Sequence, residues 1–186
     1  QELVSSFLEF VLEDIDPNAR YSDPDLTAPD NPGEISATAL DQVRTLLRRA
    51  IALDDETLAS WFGRTVSQNK SVFPATAETE PYNADELREY LRIGGPLRPL
   101  ERNPGSRFHY IAGQGGEILL FVDGQEFALG PKVAFIAPLL CRHRVLTPTL
   151  LREALQQADA RQLLLDLLNE GYLVIYEDDE DSRGPM

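Results

Sequence analysis

Cysteine, histidine and basic residues are scarce in this 186-residue sequence, and each shortage narrows what the chain can do. The single cysteine, Cys141, excludes an internal disulfide and a Cys-rich zinc site, and it is typical of a reducing compartment such as the cytoplasm. The two histidines, His109 and His143, are too few for most transition-metal sites. Lys and Arg number 17 against 31 Asp and Glu, so the net charge is −14 at pH 7. This deficit disfavours binding through many nucleic-acid phosphates and favours basic partners.

The sequence also lacks a membrane span and a recognisable leader. No apolar run approaches the roughly 20 residues needed to cross a bilayer. The chain opens on Gln1-Glu2-Leu3, which is neither a basic leader nor an initiator methionine. We therefore expect no contact with a membrane, and we expect the chain to be part of a longer protein. With 42% hydrophobic and 26% charged residues, it has enough apolar surface for packed cores.

Residues 1–78 are predicted to form a small helical dimerisation domain. The first helix, over residues 2–15, is apolar on nearly all sides, and a bundle of this size cannot cover them all. A second helix is expected after a cap at Ser36 or Thr38, and a third after the acidic turn that begins at Asp54. We therefore expect two chains to pair, although packing inside one bundle is the alternative for each residue. The candidate interface residues are Leu3, Phe7, Phe10, Val11, Leu46, Leu47, Trp61 and Phe62.

Residues 79–176 are predicted to form a winged-helix-like domain, which makes the fold class α+β. Asn83 and Glu86 form a capping pair for a short helix over residues 84–93. Asp123-Gly124 joins two strands and is typical of a type I′ hairpin turn. The remaining elements are expected as strands at 97–100, 107–112, 117–122, 125–129 and 172–176, and as helices at 132–140, 148–157 and 160–169. Five consecutive acids follow, so residues 177–186 are predicted to be an acidic flexible tail.

The residues with catalytic or metal-binding chemistry give little sign of an active site. Cys141 and His143 lie two residues apart, so a thiolate–imidazole pair or a metal site is conceivable, but a buried thiol and a surface imidazole explain them equally well. The glycines at 113, 115 and 116 precede a strand, whereas a phosphate-binding loop follows one. We expect neither a catalytic residue nor a cofactor-binding or metal-binding residue in this chain.

A winged helix raises the question of nucleic-acid binding. The helix expected to read bases, over residues 160–169, carries Asp166 and is preceded by Asp159, with Arg161 as its one cation, and therefore should repel phosphates. A local basic patch is conceivable around Arg98, Arg102, Arg107, Arg142 and Arg144, and a mixed-charge solvated surface is the alternative. We expect nucleic acid not to be a partner.

Three sequence features resemble a known family. They are Tyr21-Ser22-Asp23-Pro24-Asp25, then Trp61-Phe62-Gly63 with Ser67-Gln68, and the leucine-rich stretch 163–171 followed by Tyr172. Together, and in this order, they resemble the C-terminal half of the bacterial ribosomal oxygenases, which are JmjC-type cupin proteins. The resemblance implies a catalytic cupin domain with Fe(II) and 2-oxoglutarate, then a helical dimerisation domain and a winged helix. No residue here matches the metal triad of that family.

The resemblance implies a function for the longer protein, namely hydroxylation of an arginine in a large-subunit ribosomal protein. This chain would then be its accessory region, a homodimer whose acidic surface attracts a basic substrate. Two alternatives remain open. A free-standing dimerisation or adaptor module predicts a start codon near Gln1, and a winged-helix regulator predicts nucleic-acid binding that weakens steeply with salt.

Overall fold

The fold was analysed in a computed structural model, which describes residues 2–13, 35–70, 74–78, 80–90 and 99–175. Contacts divide the chain into two compact units, residues 1–61 and residues 62–186. The motif at 21–25 and the predicted acidic tail lie outside the described residues. The predicted domain boundary between residues 78 and 79 stays a prediction.

The first unit contains helices α1 (Glu2–Glu13) and α2 (Ala37–Ala50) and the start of α3 (Asp55–Ser67). Trp61 is buried, and its ring lies 5.0 Å from that of Phe7, edge to face, and 6.3 Å from that of Phe10. Val11 is buried on the same side of α1. Aromatic pairs at these separations contribute about 1 kcal/mol beyond the area they bury. One side of α1 is therefore satisfied by its own unit.

Side-chain caps fix where α2 and α3 begin. Ser36, one of the two predicted caps, accepts a hydrogen bond from the Ala39 backbone N–H at 3.2 Å. Asp54 accepts two hydrogen bonds from Thr57, from its N–H at 2.8 Å and from its hydroxyl at 2.9 Å. These bonds lower the pKa of Asp54, because the backbone and side-chain donors stabilise the charged carboxylate. Each cap satisfies a backbone N–H that the first helical turn leaves without a partner.

The second unit contains two small antiparallel sheets, a division that was not predicted from the sequence, and its first strand lies at residues 100–102 and not at the expected 97–100. In one, β1 (Leu100–Arg102) lies between β5 (Val145–Leu146) and β6 (Leu173–Ile175). The other is a meander of β2 (Phe108–Ala112), β3 (Ile118–Val122) and β4 (Gln125–Leu129). The predicted Asp123-Gly124 turn is confirmed, because both residues have positive φ, 49° and 88°, as a type I′ turn requires.

Three helices of the second unit surround a leucine-rich core. They are α4 (Ala84–Tyr90), α5 (Ile136–Arg142) and α6 (Ala158–Asn169). The predicted capping pair is confirmed: Asn83 accepts from the Glu86 N–H at 3.1 Å, and Glu86 accepts from the Asn83 N–H at 2.8 Å. The largest core side chains, all buried completely, include Leu100, Leu120, Phe121, Ile136, Leu140, Leu146, Leu151, Leu164, Leu167 and Leu168.

Two predicted helices differ from the structure. The helix expected at 132–140 begins later, since residues 131–135 form turns before α5. The helix expected at 148–157 is wrong: the segment forms turns and one 3-10 turn, Ala154–Gln156. Leu151 and Ala154 are both buried completely. The backbone hydrogen bonds change from steps of four residues, at Leu151 and Leu155, to steps of three residues, at Gln156 and Gln157, so no continuous α-helical ladder forms.

The end of α6 is tied to the segment that precedes α4. The Asn169 side-chain amide accepts a hydrogen bond from the Tyr82 N–H at 2.8 Å and donates one to the Tyr82 carbonyl at 3.1 Å. The Asn169 carbonyl accepts from the Glu78 N–H at 2.7 Å. Asn169 therefore binds the backbone at both Glu78 and Tyr82, ahead of α4.

Candidate functional site

Two arginines of the predicted basic patch, Arg102 and Arg144, each interact with other parts of the second unit. Arg144 is paired with Glu101, with 2.6 Å between Nε and the carboxylate. The Arg102 guanidinium lies 5.3 Å from the centre of the Phe108 ring, and its Nη1 donates to the Cys141 carbonyl at 3.3 Å.

The other three arginines of the predicted patch are Arg98, Arg107 and Arg142. Arg107 and Arg142 are exposed, and Arg98 lies outside the described residues. Pairing with Glu101 neutralises Arg144, and Arg102 is partly buried, so few free cations remain to face a phosphate backbone. That nucleic acid is not a partner stays a prediction.

The exposed side of α6 carries no basic residue. Apart from Ala158 at its start, its exposed side chains are polar or acidic at helical spacing: Asp159, Gln162 and Asp166 on the helix, and Glu170 just beyond it. Arg161, the one basic residue in the sequence of α6, is half-buried and donates through Nη1 to the Leu155 carbonyl at 2.7 Å. A helix with this surface repels phosphates and attracts cationic groups.

Cys141 lacks the environment of a reactive thiol. Burial raises the pKa of the Cys141 thiol from 9.0 to about 11, although the Arg102 charge acts in the opposite direction. His143 follows α5, where its N–H donates to the Leu139 carbonyl at 3.1 Å, and His109 is exposed on β2. A nucleophilic cysteine needs a lowered pKa, so the surroundings of Cys141 favour the structural interpretation.

The raised pKa predicts slow alkylation of Cys141 in the folded chain. At pH 8 only about one thiol in a thousand would be ionised, so iodoacetamide should react roughly a hundredfold more slowly than with an ordinary thiol of pKa 9. The rate should still rise steeply between pH 9 and 10. Mass spectrometry of samples quenched over time measures this rate, and the urea-unfolded chain is the control. A rate that levels off by pH 9 would show that the thiol is not desolvated.

The described residues offer no site that fits Fe(II). In the parts of the chain that the structure describes, no three His, Cys, Asp or Glu side chains lie close enough together to hold a metal ion. We therefore assign no reaction step to them. The expectation that Fe(II) and 2-oxoglutarate belong to another domain stays a prediction.

A hydrogen-bonded cluster at the β3–β4 turn was not predicted from the sequence. The Asp123 carboxylate accepts from the Arg107 N–H at 2.7 Å, the Ser106 hydroxyl at 2.8 Å and the Asn69 side-chain amide at 3.0 Å. Ser67, fully buried at the end of α3, accepts from the Gly124 N–H at 3.1 Å. The turn motif itself was the only sequence signal here, because the donors lie up to 54 residues away along the chain. We interpret the cluster as structural.

The helices of the first unit expose most of their large apolar side chains. Nine of these are between 44% and 63% exposed, and α2 has no buried residue. They are Leu3, Val4, Leu8 and Leu12 on α1, Leu40, Val43, Leu46 and Leu47 on α2, and Ile51 just after it. We call these nine residues the apolar face. Large apolar side chains exposed in such number mark a candidate interaction surface.

The predicted interface residues fall into two groups. Leu3, Leu46 and Leu47 belong to the apolar face, and Phe62, in the second unit, is also exposed. Phe7, Phe10, Val11 and Trp61 pack within the first unit instead. The structure adds Val4, Leu8 and Leu12, whose spacing of four residues was the available sequence signal. The interface role of all these residues stays a prediction.

The second unit has a cleft between β4 and the end of α6 that no sequence motif indicated. Its volume is about 440 Å³, within the range of small-ligand sites. The residues that line it are Gln125, Phe127, Asp166, Asn169, Glu170 and Tyr172. They come from segments about 40 residues apart, so their proximity depends on the tertiary fold.

Comparison with known proteins extends what the fold indicates. Two small antiparallel sheets packed with α5 and α6 are the architecture of a winged-helix region in an α+β protein. The chain belongs to the family described as ROXA-like winged helix, which matches residues 44–174. This confirms the predicted fold class and the predicted relationship to ribosomal oxygenases.

Known relatives are considerably longer than this chain. It is 26% identical over 176 residues to the ribosomal protein uL16 3-hydroxylase of Escherichia coli K12, a match that covers 92% of this chain and 43% of that protein. An X-ray structure of E. coli YcfD is similar with a TM-score of 0.73 and 24% identity, covering 94% of this chain and 44% of that one. The structure of YcfD, a ribosomal oxygenase from E. coli, in complex with cobalt and 2-oxoglutarate is similar with a TM-score of 0.72 and 25% identity. That match covers 95% of this chain and 46% of the other. The chain thus spans less than half of these relatives.

No helix among the described residues is both long enough and apolar enough to cross a membrane.

Proposed function

We propose that this chain is the accessory region of a 2-oxoglutarate and Fe(II)-dependent oxygenase that hydroxylates an arginine of a large-subunit ribosomal protein. The relative named as a ribosomal protein uL16 3-hydroxylase supports this, because the match covers 92% of this chain. A relative in complex with cobalt and 2-oxoglutarate supports the cofactor class. The reaction belongs to a domain outside this chain, and a ribosomal substrate favours the cytoplasm.

Within that protein, the role of the helical unit is to pair two copies of the chain. The apolar face carries this proposal, since nine large side chains that are about half exposed would be covered at an interface with a second copy. Pairing about a twofold axis places the same face of both chains in contact, as is usual in homodimers.

The strong negative charge suits a basic substrate. A net charge of −14 creates a field that attracts a cationic ribosomal protein and raises the rate of encounter more than the final affinity. The same charge disfavours the alternative of a nucleic-acid-binding regulator. A free-standing adaptor would use the apolar face equally well, so the neighbouring coding sequence must distinguish that alternative.

The proposal is tested on the longer protein. Reading the coding sequence upstream of Gln1 should reveal a cupin domain with a histidine, a carboxylate two residues on and a distant histidine. The purified product should consume 2-oxoglutarate and add one oxygen atom to an arginine of the ribosomal protein, as measured by peptide mass spectrometry. A start codon next to Gln1 with no cupin domain, or no added oxygen on any large-subunit protein, would contradict the proposal.

A further inference from the structure

The cleft between β4 and the end of α6 combines two aromatic side chains with two carboxylates. Phe127 and Tyr172 are half-buried and pack against the leucine-rich core, so the core holds them in place. Asp166 and Glu170 line the same cleft and are exposed. No lysine or arginine is among the residues that line it.

The carboxylates of this cleft are not neutralised within the described part of the chain. Asp166 accepts a hydrogen bond from the Gln162 amide at 2.8 Å, which leaves its charge in place. The Glu170 side chain has no hydrogen bond or ion pair with any residue that the structure describes. Burial first, then the charges of Glu170 and Asp123, raise the pKa of Tyr172, which is consistent with a Glu170 charge acting on the phenol.

Two aromatic rings held by the core, beside two carboxylates without an ion pair among the described residues, suit the side chain of arginine. A guanidinium group stacks on aromatic rings and forms two parallel hydrogen bonds with a carboxylate, whereas an ammonium group does neither as well. Cation–π attraction adds to the charge attraction where the cation is partly desolvated. The volume of about 440 Å³ is sufficient for one side chain and its flanking backbone.

We propose that this cleft binds an arginine side chain of a basic polypeptide. The surface of α6 that a nucleic-acid-binding winged helix would place against phosphates is acidic here, and it extends from Asp159 to the cleft. Residues at the cleft and along α6 thus attract a cationic chain. The inference deepens the proposed function, on which it rests, since a basic ribosomal protein would supply such a chain.

Binding is measured by NMR on the 186-residue chain with the probe acetyl-Gly-Arg-Gly-amide, at constant ionic strength. The expected result is a saturable shift of the signals of Phe127 and Tyr172. The same peptide with citrulline, which keeps the shape but lacks the charge, should give none. No saturable shift, or equal binding of the citrulline peptide, would overturn the proposal.

Charge-neutral variants locate the site. Asp166→Asn/Glu170→Gln should weaken binding at least about tenfold, because both charge-assisted contacts are lost. Asp159→Asn removes a charge from the same helix outside the cleft and should change the Kd less than about twofold, by long-range attraction alone. Equal weakening by both variants would mean diffuse attraction without a site.

Phe127→Leu tests the stacking separately from the charge. Leucine keeps apolar packing against the core, so the fold should persist, but the preference for the arginine probe over acetyl-Gly-Lys-Gly-amide should disappear. An unchanged preference would exclude the aromatic contribution. Binding of a short DNA duplex to the same signals would also overturn the proposal, in favour of nucleic acid.

The result of the NMR binding experiment can be distinguished from the result of the oxygenase experiment. A cleft without binding beside an active parent enzyme would remove only this inference. Arginine binding in a protein whose gene encodes no cupin domain would remove only the proposed function.

Discussion

Gly171→Ala is expected to destabilise the second unit by about 3 kcal/mol or more. Gly171 has a φ of +74°, and a Cβ at this position would overlap the carbonyl oxygen of Thr76 and lie 3.0 Å from its carbonyl carbon. The left-handed conformation alone costs a residue with a Cβ about 1 kcal/mol or more. The clash with Thr76 adds to this conformational cost, because the Thr76 atoms in question belong to the backbone and cannot rotate away as a side chain could.

The hydrogen bonds around Gly171 show why the backbone cannot simply change conformation. The Tyr172 N–H donates to the Leu167 carbonyl at 2.9 Å and the Gly171 N–H to the Leu168 carbonyl at 3.0 Å, which is the Schellman pattern that ends α6. The Gly171 carbonyl accepts from the Asn103 amide at 3.0 Å. A relaxed conformation would lose at least part of this set.

Two glycines serve as controls in urea unfolding of the same chain. Gly130→Ala has no atom within 4 Å of its new Cβ and should change the free energy of unfolding by no more than about 0.5 kcal/mol. Gly116→Ala, at a φ of +85° with its nearest neighbour at 3.7 Å, isolates the conformational cost of about 1 kcal/mol. If Gly171→Ala costs no more than Gly116→Ala, the close approach of Thr76 would be refuted.

Leu8→Glu/Leu47→Glu is expected to convert the proposed dimer into a monomer. Both side chains belong to the apolar face, at 48% and 58% exposure, so glutamate is tolerated in a separate chain. Within an interface, however, each charge would be buried without a partner, and dissociation should become easier by at least about a hundredfold. Sedimentation velocity over a range of concentrations measures the mass, and circular dichroism checks that the helices persist.

The matched control adds the same charge elsewhere. Gln156→Glu/Gln157→Glu places two further carboxylates on exposed positions of the second unit, so the net charge changes equally. This variant should remain a dimer, which separates interface burial from general repulsion. A wild-type chain that sediments as a monomer at all concentrations would refute the pairing role of the apolar face.

Local sequence signals predicted most of the elements correctly because their causes are local. The Asp123-Gly124 turn follows from the left-handed conformation that both residues tolerate, and the Asn83–Glu86 pair caps α4 through neighbouring backbone groups. Gly171 ends α6 for the same kind of reason. In each case the physical determinant lies within four residues of the signal.

The features that sequence reasoning missed depend on distant residues. The segment at 148–157 has helical periodicity, yet it forms turns and one short 3-10 turn while Leu151 and Ala154 are buried in the core. The six residues of the cleft belong to two separate segments, and no spacing along the chain indicates that they meet. The division between Phe7 and Trp61, which pack together, and Leu8, which is exposed, likewise depends on which side of α1 faces the aromatic ring.

The Asp123 cluster also bears on how this protein ages. An aspartate followed by glycine is the dipeptide most prone to isomerise, since the glycine nitrogen attacks the neighbouring carboxyl carbon through a cyclic imide. Here both carboxylate oxygens of Asp123 are engaged by fixed donors, and the Gly124 nitrogen is directed toward the Ser67 hydroxyl. Isoaspartate should therefore accumulate only in chains that have unfolded, and the native hairpin keeps a chemically fragile peptide link intact.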